Sequence, residues 1–317
     1  MTSFTVTRPG LQTTVQGRPR TGLRHLGVPA SGAADPLSLA LANRLVGNDD
    51  LLSPGLETAL DGVALRFTAS GFVAITGASA AIELNGERQQ PHRTIAVRAG
   101  DDIVVGAAEA GARSYLAFAG GLEAETVLGS ASTYLPAALG GYRGRALARG
   151  DSLSCAAAAV APPMASTPNE FRPPLRRSSA LRACRGAELA ALVERERANL
   201  FEFNFTVGRR ADRMGLCLEG IRFRVDSGGR LPSAAVFPGT VQCPEDGRPI
   251  MLSIDAQTTG GYPRIAQVAR CDRHQVGQLR PGDRLRLLLR DPDAAAADLK
   301  AKHAYWERWL PGAAGII

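Results

Sequence analysis

The chain has 317 residues, 45% of them apolar and 5% aromatic, with a formal net charge of +7. That length suits two ordinary domains with separate cores, and no apolar run approaches the roughly 20 residues that span a bilayer. Arginine carries almost all of the positive charge, because lysine occurs only at Lys300 and Lys302. This excludes a Gly-Lys phosphate loop and a carrier lysine in a Met-Lys-Met turn, and it disfavours a Schiff-base lysine. Scattered arginine with few aromatics disfavours a nucleic-acid groove.

The first residues, MTSFTVTRPG, lack the apolar core of a secretory signal, so a cytoplasmic protein is expected. Residues 4–8 alternate as a strand. Short apolar runs follow at 63–67, 72–76, 81–84, 95–98, 103–105 and 114–118, with Asn85-Gly86 as a two-residue hairpin signal. Such regular spacing predicts a mainly β chain with a few helices, built as barrels or sandwiches rather than βαβ units. One early helix is well specified: Asp35 caps it, Pro36 opens it, Leu37, Leu41 and Leu45 form its apolar face, and Gly47 ends it. Further helices are predicted over 188–199 and 294–310, the last stopped by Pro311-Gly312 and packing through Leu299, Trp306 and Leu310.

A Gly-Asp pair followed by a strand recurs at Gly100-Asp101, Gly150-Asp151 and Gly282-Asp283. The Ala/Pro-rich stretch 156–175 reads as a linker between domains over 1–155 and 176–317. The five cysteines, Cys155, Cys184, Cys217, Cys243 and Cys271, are far apart in sequence. They read as buried small hydrophobes, with no disulfide framework or zinc spacing.

Polar residues gather in four places. The stretch 22–35, GLRHLGVPASGAAD, places His25 in a Gly-rich loop that suits a site, although a lone histidine is more often structural. Asp35 there reads first as the helix cap. In DRMGLCLEG, 212–220, Arg213 reads as an ion-pair partner, and Glu219 ends a strand beside a glycine, as an acid/base group or a solvated side chain. In GTVQCPEDGRPI, 239–250, Gln242 is either a reader of amides and carbonyls or an exposed hairpin residue. In SIDAQTTGGYPRIAQV, 253–268, Asp255, Gln257, Thr258, Gly260, Gly261 and Tyr262 crowd between two apolar runs, the first ending at Ile254. This reads as a site at a rim, with free N–H groups where Gly260-Gly261 turns the chain, or as a tight hairpin that caps itself. No serine elbow or dinucleotide fingerprint is present.

These clusters occur in the order GLQTTVQ (10–16), HLGVPASGAAD (25–35), LANRLVGN (41–48), Leu56-Glu57, TGA (76–78), DRMGLCLEG and DAQTTGGYP. In that order they resemble the biotin-dependent carboxyltransferase family, also called allophanate hydrolase subunit 2, over about residues 4–289. The family includes the C subunit of bacterial ATP-dependent 5-oxoprolinase and half of the carboxyltransferase domain of urea carboxylase. The resemblance implies two cyclophilin-like β-barrel modules. It also implies a role beside a B-like sister subunit and an A-like subunit in opening the lactam of 5-oxoproline to glutamate. ATP with magnesium would act in the complex, with no covalently bound cofactor and no metal ligands in this chain. Its alternatives are a carboxyltransferase half acting on urea or another small amide, and a non-catalytic regulatory partner of a kinase-inhibitor-like B subunit.

On that reading Asp255, Glu219 and His25 move protons. Gln257, Thr258, Gly260, Gly261, Tyr262, Gln242, Arg213, Asp35 and Glu57 bind substrate. The chain departs from the family pattern at Gly17 and Ala234, where the family carries acids, and at Pro19 and Ala211, where it carries glycine and serine.

Overall fold

The computed structural model describes residues 2–158, 160–226 and 231–317. The chain divides into two units. The first comprises Met1–Arg20, Ser31–Leu175 and Trp306–Ile316; the second comprises Thr21–Ala30, Arg176–Tyr305 and Ile317. The stretch 156–175, expected as a linker, groups instead with the first unit. There the Thr94 N–H donates to Ala165 O at 2.9 Å and the Thr167 N–H to His92 O at 3.0 Å. Phe171 is buried against Trp306 and Trp309, at centroid distances of 5.8 and 6.2 Å. An Ala/Pro-rich composition signals only that a segment makes no regular structure of its own; here backbone bonds and one aromatic residue fasten it down. Residue 159 lies outside the described residues.

The first unit is built from β1 (Ser3–Arg8), β2 (Gln12–Gln16), α1 (Pro36–Leu45), β3 (Gly55–Ala59), β4 (Ala64–Ala69), β5 (Gly71–Ser79), β6 (Ile82–Leu84), β7 (Glu87–Gln89), β8 (Thr94–Val97), β9 (Asp102–Val105), β10 (Ala110–Phe118) and β11 (Ser152–Ser154). Two antiparallel sheets form, in the orders β11-β1-β4-β9-β6-β7 and β2-β3-β10-β5-β8. They share one apolar cluster, in which Phe4 stacks on Phe118 with centroids 4.7 Å apart. Helix α1 starts where expected: Asp35 accepts from the Ser38 N–H at 3.1 Å, Pro36 follows, and Leu37, Leu41 and Leu45 are buried.

The second unit follows with β12 (Ser178–Arg185), the one-turn helices α2 (Glu194–Arg197) and α3 (Asn199–Glu202), β13 (Asn204–Ala211), β14 (Gly215–Glu219), β15 (Ala234–Ala235), β16 (Thr240–Gln242), β17 (Ile250–Leu252), β18 (Thr259–Gly260), β19 (Arg264–Val268), β20 (Arg284–Leu289) and α4 (Pro292–Glu307), whose last two residues, Trp306 and Glu307, group with the first unit. Seven strands close into a barrel, β12-β19-β16-β17-β14-β13-β20, while β15 and β18 pair as a separate ribbon. The barrel interior is filled by Val207, Leu216, Leu218, Val241, Met251, Ile265 and Leu285, among others. The mainly β expectation holds. Barrel closure belongs to the second unit, whereas the first has two sheets.

The helix expected over 188–199 is interrupted. A single turn at Leu189–Ala191 gives way to extended backbone at Leu192 and Val193 before α2. Leu192 is 1% exposed and bridges Val225. Burial and that pairing outweigh helix propensity at this point.

The three Gly-Asp repeats prove to be one turn used three times. Gly100, Gly150 and Gly282 have φ of 95°, 91° and 85°, which favours glycine. The following aspartate accepts from the N–H three residues upstream: Asp101 from Arg98, Asp151 from Ala148 and Asp283 from Arg280. Each turn feeds the next strand, β9, β11 or β20.

Candidate binding groove on the second barrel

Strand β14 shows how the barrel makes a site. Leu216 and Leu218 point into the core, so their neighbours Gly215, Cys217 and Glu219 face outward. On β17, Met251 is interior while Ile250 and Leu252 face out. On β16, Val241 is interior while Gln242 faces out. Together with Arg209 and Arg210 on β13, the turn at Asp212 and Met214, the loop of Pro244, Asp246 and Arg248, and the side chains of Gln257 and Tyr262, these residues line a groove of about 630 Å³.

One wall carries joined carboxamides. The Gln257 Nε2 donates to Gln242 Oε1 at 3.4 Å, and the Gln242 Nε2 donates to Tyr262 O at 3.2 Å. Gln242 is 2% exposed, so the reading as an exposed hairpin residue does not hold. Gly260 sits on this pair: a Cβ there would stand 2.6 Å from Gln242 Nε2. The sequence expectation that Gly260-Gly261 turns the chain is replaced by this steric reason, since Gly260 lies in β18 and neither residue has positive φ. The strand expected to run through Ile254 ends at Leu252, and the segment is not a hairpin, because β17 and β19 both pair with β16, which lies between them.

The charged groups fall into two sets. Asp212 accepts from the Met214 and Gly215 N–H groups at 2.7 and 3.0 Å and shapes its turn. Asp246 pairs with Arg248 at 2.9 Å, and the Arg248 N–H helps to hold its carboxyl below the usual range. Glu219, Arg209 and Arg210 are exposed, and their side chains have no hydrogen bond or ion pair among the described residues. Burial, followed by the charge of Glu219, pushes the Cys217 thiol up. It therefore stays protonated at neutral pH and is a poor nucleophile.

Other residues named from sequence are used elsewhere. Asp255 is 2% exposed, and its two oxygens accept from Arg213 Nε and Nη2 at 2.7 and 3.0 Å. This buried pair supports the Asp212–Gly215 turn: the Asp255 N–H donates to Arg213 O and the Ser253 N–H to Met214 O. Neither Asp255 nor Arg213 lines the groove, and neither do Thr258, Gly260 and Gly261. His25 is exposed on a short turn, Arg24–Leu26, and does not line the groove. Its neighbour Arg24 is the residue that reaches Gln257, donating to Gln257 O at 3.3 Å and to Val236 O at 2.5 Å.

Asp35 and Glu57 belong to the first unit. Asp35 caps α1. Glu57 is 3% exposed, accepts from the Ala34 N–H and the Tyr115 hydroxyl at 2.9 Å each, and pairs with Arg113. Position 17 is buried, and a Cβ there would stand 3.0 Å from Leu52 O, so the local backbone leaves little room for an acid. Ala234 lies opposite Gly260 in the β15–β18 ribbon.

Sequence reasoning missed Arg209, Arg210 and Arg248 as groove residues. Alternation across 215–219 was the available signal, because it marks which face of the neighbouring strands lies outside. Among the described residues, no three His, Cys, Asp or Glu side chains are grouped to hold a metal ion, and no helix is long and apolar enough to cross a membrane.

The carboxyltransferase domain family, subdomain A and B, matches residues 26–289. The 5-oxoprolinase C subunit of Escherichia coli is 32% identical over 303 residues, 96% of each chain. Urea amidolyase of Saccharomyces cerevisiae is 30% identical over 305 residues, covering 90% of this chain and 16% of that one. Among solved structures, Kluyveromyces lactis urea carboxylase superposes with a TM-score of 0.90 at 29% identity, over 98% of this chain and 29% of that one. The chain thus spans less than a third of these urea-processing relatives.

Proposed function

The chain belongs to the carboxyltransferase domain family, subdomain A and B, and from that premise we propose that it serves as the C subunit of a 5-oxoprolinase, opening a small cyclic amide within a multi-subunit enzyme. The observation that carries this reading is the outer groove of the second barrel, where the paired carboxamides of Gln242 and Gln257 face unpaired Arg209, Arg210 and Glu219. Its support from kinship is the alignment with the Escherichia coli 5-oxoprolinase C subunit over 96% of both chains.

The chemistry suits these side chains. A lactam carries an N–H donor and a carbonyl acceptor, and a carboxamide side chain offers the complementary pair. 5-Oxoproline also carries a carboxylate, for which Arg209 and Arg210 supply guanidinium groups. Glu219, at the exposed end of β14, takes a proton from the attacking water and returns it to the ring nitrogen as the C–N bond breaks. Gln242, held by Tyr262 O and packed against Gly260, fixes the orientation of the ring.

Amide resonance makes water attack slow, and ATP with magnesium would supply the activation in the complex. The described residues of this chain do not fit the nucleotide's own site: no Gly-Lys loop exists in the sequence and no acidic trio is present for magnesium. That step is therefore assigned to the B-like and A-like subunits.

A second reading, a carboxyltransferase half acting on a small amide, is favoured by the 0.90 TM-score with urea carboxylase. Its biotin carrier would be a separate domain. Co-expression with B-like and A-like subunits, followed by assay of ATP-dependent glutamate release from 5-oxoproline, separates the readings. Glutamate release that requires this chain supports the first. A well-formed complex that releases none overturns it, and carboxylation of the amide by carboxybiotin would then establish the second.

A further inference from the structure

One backbone carbonyl decides which atom the carboxamide wall of the groove turns outward. A carbonyl oxygen only accepts, so Gln242 sets its nitrogen toward Tyr262 O, where Nε2 donates at 3.2 Å. Gln242 Oε1 is then left facing Gln257. It too only accepts, so Gln257 turns Nε2 inward and donates at 3.4 Å. Reversing either carboxamide would set oxygen against oxygen. Gln257 Oε1 is therefore the atom left over. It has no hydrogen bond among the described residues, and Gln257 is exposed where it lines the groove.

The backbone that carries Gln257 is tied down as well. Arg24 Nη2 donates to Val236 O at 2.5 Å and to Gln257 O at 3.3 Å. The Val236 N–H donates to Thr258 O at 3.1 Å, and just beyond, Ala235 pairs with Thr259 in the β15–β18 ribbon. Arg24 thus bridges the segment leaving β15 and the segment entering β18, with its guanidinium 5.3 Å from the centroid of the Phe237 ring. Arg24 does not line the groove, so it acts on a ligand only through Gln257.

An acceptor held in place with nothing to accept from selects ligands that bring a donor. We infer that Gln257 Oε1 reads the ring N–H of the substrate, which makes Gln257 the specificity-determining residue of the groove and Gln242 and Arg24 its positioning residues. The inference deepens the lactam reading of the groove and rests on it. It commits the groove to cyclic amides that carry an N–H. A lactone sets a ring oxygen against Oε1, two acceptors with no proton between them, and an N-methyl lactam fills the same place without a donor.

The test measures binding by the full chain alone, so it depends on neither turnover nor partner subunits. 5-Oxoproline, its lactone counterpart 5-oxotetrahydrofuran-2-carboxylate and N-methyl-5-oxoproline are titrated calorimetrically into wild type, Q257M, R24M and R24K. Wild type should bind 5-oxoproline about tenfold more tightly than either analogue. Q257M should bring the affinities together, R24M should narrow the gap, and R24K should restore part of it. The ratio of affinities is the readout, because a loss of fold weakens every ligand alike. The wild-type comparison needs no variant and stands should R24M fold poorly. Binding of 5-oxoproline without preference over its analogues, or a preference that survives in Q257M, overturns the inference and leaves the lactam reading in place. A ratio unchanged in R24M overturns the role of Arg24. Absence of saturable binding of all the ligands at millimolar concentrations overturns the inference and the lactam reading of the groove together.

Discussion

Each unit contains an ion pair in which both partners are buried, Glu57–Arg113 in the first and Asp255–Arg213 in the second, and the two pairs serve different purposes. In the first unit Glu57 faces Arg113 but also takes the Tyr115 hydroxyl and the Ala34 N–H, so it ties the chain entering α1 to β3 and β10. In the second unit Asp255 gives both oxygens to Arg213, and the pair backs the turn at Asp212 that walls the groove. The first network is directed at its own backbone. The second holds up a surface where Glu219, Arg209 and Arg210 are left without partners. A buried carboxylate in a polar motif is thus weak evidence for chemistry; the exposed, unpaired carboxylate beside it is the better candidate.

The largest effect expected from this contrast is on folding. Asp255→Ala leaves Arg213 charged and 5% exposed, which should cost about 3–5 kcal/mol, while Arg213→Met with Asp255→Leu should recover much of the loss. Trp306 and Trp309, the two tryptophans of the chain, both lie in the first unit. The far-UV circular dichroism transition in denaturant should therefore shift in Asp255→Ala while the tryptophan fluorescence transition stays. If both shift together, the assignment of this pair to the second unit alone fails.

Next comes chemistry without stability. Glu219 is exposed, so Glu219→Gln should leave both transitions unchanged. If Glu219 moves the proton, the substitution should lower turnover of the assembled enzyme by roughly 10²- to 10⁴-fold. Unchanged turnover would remove Glu219 from the mechanism.

How much of this was legible depends on whether the signal was local. Asp35 before Pro36, the Asn85-Gly86 turn joining β6 to β7, and the three Gly-Asp turns are governed by residues within a few positions, and all could be read. Strands β2 and β3 could not. QTTVQ and GLETA bury Thr13, Thr14, Gln16, Glu57 and Thr58, which erases the polar/apolar alternation that marks a strand. In the candidate groove, the lining residues Gln242, Gln257, Tyr262 and Glu219 stand out in sequence because glycine and polar residues cluster around them. The use of Asp255 was hidden because its partner lies 42 residues earlier in the chain. The arginines of the groove were hidden because nothing local sets Arg209 and Arg210, on the hairpin partner of β14, apart from other exposed arginines, and Arg248 reaches the groove only because β17 pairs with β14.

The smallest effect probes the other side of the comparison. Tyr115 is fully buried, and its hydroxyl donates to Glu57 Oε2 at 2.9 Å while accepting from the Asp35 N–H at 2.7 Å. Tyr115→Phe removes both bonds and leaves buried groups short of a partner, at a cost of about 1–3 kcal/mol read by tryptophan fluorescence. Burial, then the charges of Glu57 and Asp35, raises the phenol well above its ordinary value. The folded state therefore holds this proton more tightly than the unfolded state. That contribution is intact below about pH 10, the unfolded tyrosine value, and is lost as pH rises beyond it. Wild type should lose stability above that point more steeply than Tyr115→Phe. Parallel curves would show that the Glu57 network does not depend on the Tyr115 proton and would erase the contrast with the simpler Arg213–Asp255 pair.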